Sequence, residues 1–163
     1  NDVIDFSQGV EVYKFSNQSS TGETPYSPNG VLCSTDFAIF RLAEMYLTYA
    51  EAVVRGGAGG DKATALKYIN LLQDRAYGNS AHEITATGLT LPFLLDERGR
   101  ELYWEGFRRT DLIRFGEFTA DGYLWPWKGG VAAGRGVDSH FKLFPIPAAE
   151  IIANPNLQQN AGY

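Results

Sequence analysis

One cysteine, one methionine and two histidines are all this 163-residue chain holds of the residues most used for redox and metal chemistry. A lone Cys33 excludes an internal disulfide framework and a cysteine-based metal cluster. His82 and His140 stand apart, with no HExxH pattern and no cysteine partner, so no metal or cofactor is implied, and each is expected to be a structural or surface histidine. Positive charge is also short: 14 Lys and Arg against 19 Asp and Glu leave a net charge of −5. Binding a phosphate backbone needs a clustered positive surface, which argues against a nucleic-acid partner. No apolar run reaches the ~20 residues of a membrane-spanning helix. Residues 1–30 lack the basic start and apolar stretch of a signal peptide. The chain opens on Asn1 inside a strand-like stretch, which leads to the expectation of a fragment of something longer. GxSxG and GxxxxGK[ST] are missing, and the glycine cluster from Gly56 to Gly60 follows a helix rather than a strand, so it reads as a linker.

What is present is a hydrophobic content of 44% with 13% aromatics, enough for one packed domain over 1–163. GVEVYKFS, containing Val10, Val12 and Phe15, alternates like a half-buried strand, and NQSSTGETPYSPNG after it is made of turn formers. Asp36 is placed to cap a helix over about 37–55, with Phe40, Ala43, Leu47, Ala50 and Val54 as its apolar stripe. Asp61 caps a second helix to about Tyr77, with Ala65, Ile69 and Leu72 facing inward. Two such helices joined by a short glycine linker predict an antiparallel hairpin of tetratricopeptide type, a unit that gains stability from stacked neighbours. Thr90 caps a third helix over 91–105, with Pro92 tolerated in its first turn, and Gly106 breaks it before a short helix over 110–115. Residues 116–143 are rich in glycine and aromatics without periodicity. The tail from Phe144 to Tyr163 carries Pro145, Pro147 and Pro155, so it predicts extended chain around a short helix over 148–153. The fold class is mostly α, with long ordered loops and little strand.

Two groups of side chains invite a chemical reading. Glu97, Glu101 and Glu105 fall at i, i+4 and i+8, a row of like charges that needs compensation. Arg41, Arg108 and Arg109, with other arginines nearby, are expected to supply it as a structural ion-pair network. A glycoside hydrolase would instead need two carboxyls about 5–10 Å apart across a cleft, which a single helix face does not provide. The segment Tyr123-Leu124-Trp125-Pro126-Trp127-Lys128 sets stiff rings in a glycine-rich loop. Such rings pack on sugar C–H faces while polar neighbours bond the hydroxyls, which makes Tyr123, Trp125, Trp127 and Lys128 the candidate glycan contacts. The competing expectation is that these rings fold inward as the loop's own small core.

RLAEMYLTYAEA at 41–52, ALKYINLLQDRAYG at 65–78, LLDERGRELYWEGFRRTDLIRFG at 94–116 and FPIPAAEIIANPNLQQNAGY at 144–163 resemble successive blocks of the SusD/RagB family's C-terminal region. A looser likeness extends to VYKFSN at 12–17. The resemblance implies a non-catalytic, lipid-anchored protein of the Bacteroidetes outer membrane and cell surface. Such a protein captures oligosaccharides, sometimes peptides, and passes them to a TonB-dependent barrel of the SusC type. Its membrane contact is then a lipid anchor on an N-terminal region beyond this chain, since Cys33 is not the anchoring cysteine. A helical-repeat scaffold for another protein is the second reading and a glycoside hydrolase the third. No sugar-contact residue carries over by motif.

Overall fold

The computed structural model describes Lys14, Phe15, Thr21 and residues 35–163. The expected strand at 9–16 and loop at 17–30 lie, but for Lys14, Phe15 and Thr21, outside the described residues, as does Cys33. The chain divides into two compact units, 1–42 and 43–163. In the first, Phe15 and Phe37 stack with ring centroids 5.2 Å apart.

The second unit is helical, with no strand among the described residues. Five α-helices follow in order: α1 (Leu42–Val54, whose first residue belongs to the first unit), α2 (Lys62–Tyr77), α3 (Leu91–Glu101), α4 (Arg108–Arg114) and α5 (Ala148–Ala153). The hairpin is present. Tyr49 Oη accepts from the Asp61 backbone N–H at 3.1 Å, while Tyr46 stacks on Tyr68 at 4.3 Å. Going back along α1 therefore means going forward along α2, so the two helices are antiparallel. Their inner faces bury Ala43, Leu47 and Ala50 against Ala65, Ile69 and Leu72, and Leu89, Leu94 and Leu102 close the same core. Small residues at 43, 50 and 65 allow close approach of the helices.

Local chemistry sets the boundaries of α2 and α3. Asp61 Oδ1 accepts from Thr64 N at 2.8 Å, and Gly78 ends α2 in the left-handed region at φ 71°. Thr90 Oγ1 caps α3 through Phe93 N. Three helices depart from the sequence expectation, the least of them α4, which spans Arg108–Arg114 rather than 110–115. α1 begins at Leu42 rather than after Asp36, and Phe40, expected in the inner stripe, is 80% exposed. α3 ends at Glu101 rather than 105, because Trp104 (φ 64°) and Gly106 (φ 81°) both reverse the chain there. That reversal directs Arg108 back along α3. A Cβ on Gly99, inside α3, would lie 2.8 Å from Arg108 Nη1, so a glycine in a helix interior keeps the space that this guanidinium occupies.

Past α4 the chain has little regular structure and is held by side chains bonded to main chain. Gln159 donates to the Ile146 carbonyl at 2.9 Å and accepts from its N–H at 2.8 Å, mimicking a strand partner. Asn70 does the same to Ile84, with bonds of 3.1 and 3.0 Å. Asn160 and Tyr163 donate to the carbonyls of Phe144 and Leu143, which folds the tail back on itself.

Candidate functional site

The carboxylate row is divided by the end of α3. Glu97 is buried and accepts from Arg100 Nε and Nη2 at 2.9 and 2.7 Å. Glu101 pairs with Arg75 from α2. Glu105 lies beyond the helix, buried in the reversing turn, and it and Arg41 are both engaged. Arg108 and Arg109 bond elsewhere: Arg108 donates to the Leu95 carbonyl at 2.7 Å and to Tyr123 Oη, and Arg109 to the Phe141 carbonyl at 2.6 Å. The Arg109 guanidinium also lies against the rings of Phe118 and Phe144, at 4.9 and 4.2 Å.

A denser ion-pair network lies nearby, where Arg98 and Arg114, expected from the sequence to serve the Glu97 row, instead serve Glu51 and Asp111, which the sequence had not singled out. Glu51 on α1 accepts from Arg114 Nε and Nη2 at 2.9 and 2.8 Å and from Arg55 at 2.9 Å. Arg114 Nη2 also reaches Asp111 Oδ1 at 2.8 Å. Asp111, 1% exposed, has Arg98 Nε 2.8 Å from the same oxygen; the N–H points off the line of a hydrogen bond, so that contact is charge attraction alone. Burial by itself would raise the Glu51 pKa, but hydrogen bonds from Arg114 and Arg55 outweigh it and hold the carboxyl below its ordinary value. The signal was in the sequence: Glu51 stands four residues after Leu47 and three before Val54, at core-facing register on α1.

In the aromatic loop, Lys128 is 3% exposed, and its ammonium donates to the carbonyls of Glu117, Ala120 and Tyr123 at 3.2, 2.6 and 2.6 Å. An ammonium has three donors, so none is left for a ligand. Lys128 is the post around which the loop is wound. Its Nζ also sits 4.6 Å from the centroid of the half-buried Trp125. Tyr123 is half-buried too, giving its hydroxyl proton to Asp96 at 3.0 Å while accepting from Arg108. Burial and the Asp96 hydrogen bond raise its pKa against the pull of Arg108. Trp127 differs from both: it sits at φ 68° and is 66% exposed. The loop thus uses Tyr123, Trp125 and Lys128 partly or wholly to brace itself and turns one ring outward. Both histidines lie against aromatic neighbours, His82 stacked on Tyr77 at 3.8 Å and His140 tilted against Phe141 at 4.0 Å, and His140 Nδ1 lies 2.8 Å from Asp138 Oδ1.

Around Arg108 and Arg109 open three clefts. One of about 660 Å³ is lined by Asp96, Arg100, Tyr103 and Trp104, with both arginines. A second, about 430 Å³, shares Arg108 and Arg109 with it and adds Tyr123 and Trp125. A third, about 420 Å³, shares Arg109 and Trp125 with the second and adds Phe141, Phe144 and Tyr163.

This helical hairpin with its capping helix and clasped tail matches the SusD family model over residues 2–163. The chain belongs to the SusD family. It is 44% identical over 163 residues to the starch-binding protein SusD of Bacteroides thetaiotaomicron, a match covering 99% of this chain and 27% of that protein. A crystal structure of a SusD superfamily protein from Bacteroides vulgatus is similar with a TM-score of 0.64 and 34% identity, covering 81% of this chain and 29% of the other. The chain thus spans between a quarter and a third of the length of these SusD relatives.

Proposed function

We propose that this protein is a non-catalytic oligosaccharide-binding component of a glycan-uptake system. It works at the outer cell surface, lipid-anchored through its parent polypeptide, and hands its ligand to a TonB-dependent barrel of the SusC type. The observation that carries the reading is 44% identity along the whole chain to a protein named for starch binding. Site chemistry supports it. Hydrolysis of a glycosidic bond needs two opposed carboxyls with unlike environments, whereas Glu97, Glu101, Glu51 and Asp111 are each tied to arginines. An exposed indole on a braced loop is a stacking platform for a sugar ring, and Trp127, 66% exposed, offers one.

Calorimetric titration with malto-oligosaccharides tests the reading. Binding without release of reducing ends is expected, and Trp127→Ala should weaken it while leaving the melting temperature in place. Hydrolysis of the ligand, or no binding to any oligosaccharide, would overturn the reading. Affinity untouched by Trp127→Ala would move the platform away from this ring.

A further inference from the structure

Arg98 is the least explained residue of the fold. Its side chain is 3% exposed, yet its donors are poorly used. Nε is buried without a hydrogen bond, since its N–H misses the line to Asp111. Nη1 reaches Thr48 Oγ1 only at 3.4 Å, and Nη2 makes no hydrogen bond among the described residues. Buried donors are almost always paired, so a guanidinium left this open calls for a reason. Arg98 forms part of the wall of a cleft of about 620 Å³, lined from α1, α3 and α4, which is the size of a small-molecule site. Arg55 and Arg114 line it too. Both are pinned by Glu51 and by the ring of Phe115, whose centroid lies 4.7 and 5.4 Å from their Cζ atoms. Each guanidinium has five N–H groups, of which Arg55 uses one and Arg114 three, its Nη2 serving both Glu51 and Asp111. Acceptors are closed by comparison. Both Glu51 oxygens are taken, and Glu44 Oε2 and Asp111 Oδ2 are buried. Ala52 and the half-buried Phe107 ring give the cleft an apolar side.

We infer that this cleft is a binding site for a small monocarboxylate with an apolar body, its carboxylate held by Arg98. Carboxylate oxygens accept the N–H groups that these guanidiniums leave unused, and they match the planar donor fork. The balance of charge selects for a single negative charge. Arg55, Arg98 and Arg114 offset Glu44, Glu51 and Asp111, so a dianion meets no net attraction, while a monoanion gains directed hydrogen bonds at lower repulsion from Glu44. The cleft shares no residue with the loop that carries Trp127, so the site does not depend on glycan binding.

Calorimetry with sodium benzoate tests the site, with benzamide as its uncharged isostere and sulfate as a dianion, on the wild type, Ala52→Trp and Glu44→Gln. Benzoate is expected to bind saturably and at least about tenfold more tightly than either control. Ala52→Trp puts an indole into the cleft from an exposed helix position, so binding should be lost with the melting temperature unchanged. Glu44→Gln removes the opposing charge and should tighten benzoate severalfold without changing benzamide. A network that serves stability alone gives neither effect. No binding of benzoate, equal affinity for benzamide, tighter binding of sulfate, or affinity that survives Ala52→Trp overturns the site. Should Ala52→Trp melt lower, Glu44→Gln decides: affinity unchanged or weakened there overturns the site as well. Malto-oligosaccharide binding by the same samples reports separately on the glycan reading.

Discussion

The helices from 43 to 116 and the chain from 117 to 163 solve the same problem by opposite means. In the first, apolar residues at helical spacing bury one another, and charged side chains that fall at core-facing positions are neutralised in pairs: Glu51 by two arginines, Asp111 by Arg98 and Arg114. In the second, helical spacing is confined to α5, which buries none of its residues, and polar side chains close on the main chain instead: Lys128 on three carbonyls, Gln159 on both groups of Ile146, Arg109 on Phe141. Apolar burial is non-directional and fixes a core cooperatively. A side-chain hydrogen bond to backbone fixes a single loop conformation and little beyond it. A loop that turns a single ring outward is better made the second way, because the polar post holds the loop while Trp127 stays exposed.

Removing a core charge should therefore act on the whole unit. Asp111→Ala leaves Arg98, which is 3% exposed, without its countercharge and is expected to cost roughly 3–5 kcal/mol, read as a global fall in denaturant midpoint with unchanged slope. A loss below about 1 kcal/mol would place the stability of this region in apolar packing alone. Glu51→Gln comes next, at roughly 2 kcal/mol near neutral pH because its arginine partners are partly exposed. Against burial, which would raise it, hydrogen bonds from Arg114 and Arg55 hold the Glu51 carboxyl below its ordinary value in the folded protein. A depressed folded pKa contributes stability that is complete above the unfolded value and is lost as pH falls through the folded one. The gap between wild type and Glu51→Gln should accordingly be full at pH 7 and close in acid. A gap that widened in acid would mean the carboxylate is unfavourable where it sits.

The same contrast decides what was legible in the amino-acid sequence. Asp61, Thr90 and Gly78 act through their nearest neighbours in the chain, so capping chemistry located the ends they govern. The starts and stops that failed lay elsewhere: α1 begins past the exposed Phe40, and α3 stops early because the turn after it serves Arg108. Glu97 and Glu101 were legible as carboxylates needing arginines, but which of the many arginines each would take was not. Arg75 lies 26 residues from Glu101, and Arg114 lies 63 from Glu51. In the aromatic loop, composition alone does not tell a lysine that meets a ligand from one that meets three carbonyls. The difference between Trp125 and Trp127 rests on backbone angles and burial that no periodicity encodes.

Lys128→Met tests the loop's half of the contrast. It keeps the length of the side chain and strips three carbonyls of their donor, for an expected loss of about 2 kcal/mol. Amide exchange should accelerate across 117–137 and stay slow in α1 and α2. Acceleration in the helices as well would merge the two regions into one cooperative unit, and the contrast between them would fail.

The smallest effect belongs to the tail clasp. Gln159→Leu preserves volume but leaves the N–H and carbonyl of Ile146 without partners, and Gln159 Oε1 also receives the Asn160 N–H at 2.9 Å. These groups are only part-buried, so water replaces much of what is lost and about 1 kcal/mol is expected. Its signature is local: faster exchange at Ile146 and Asn160, with the melting temperature nearly unmoved. The Asn70–Ile84 pair supplies an internal control, since it makes the same two bonds between α2 and the loop that leads to α3. Asn70→Leu should cost more than Gln159→Leu, because that loop positions Leu89 in the core and the tail positions no buried residue. Equal losses at the two sites would show that the amide clasp stabilises by its own bonds, whichever region it closes.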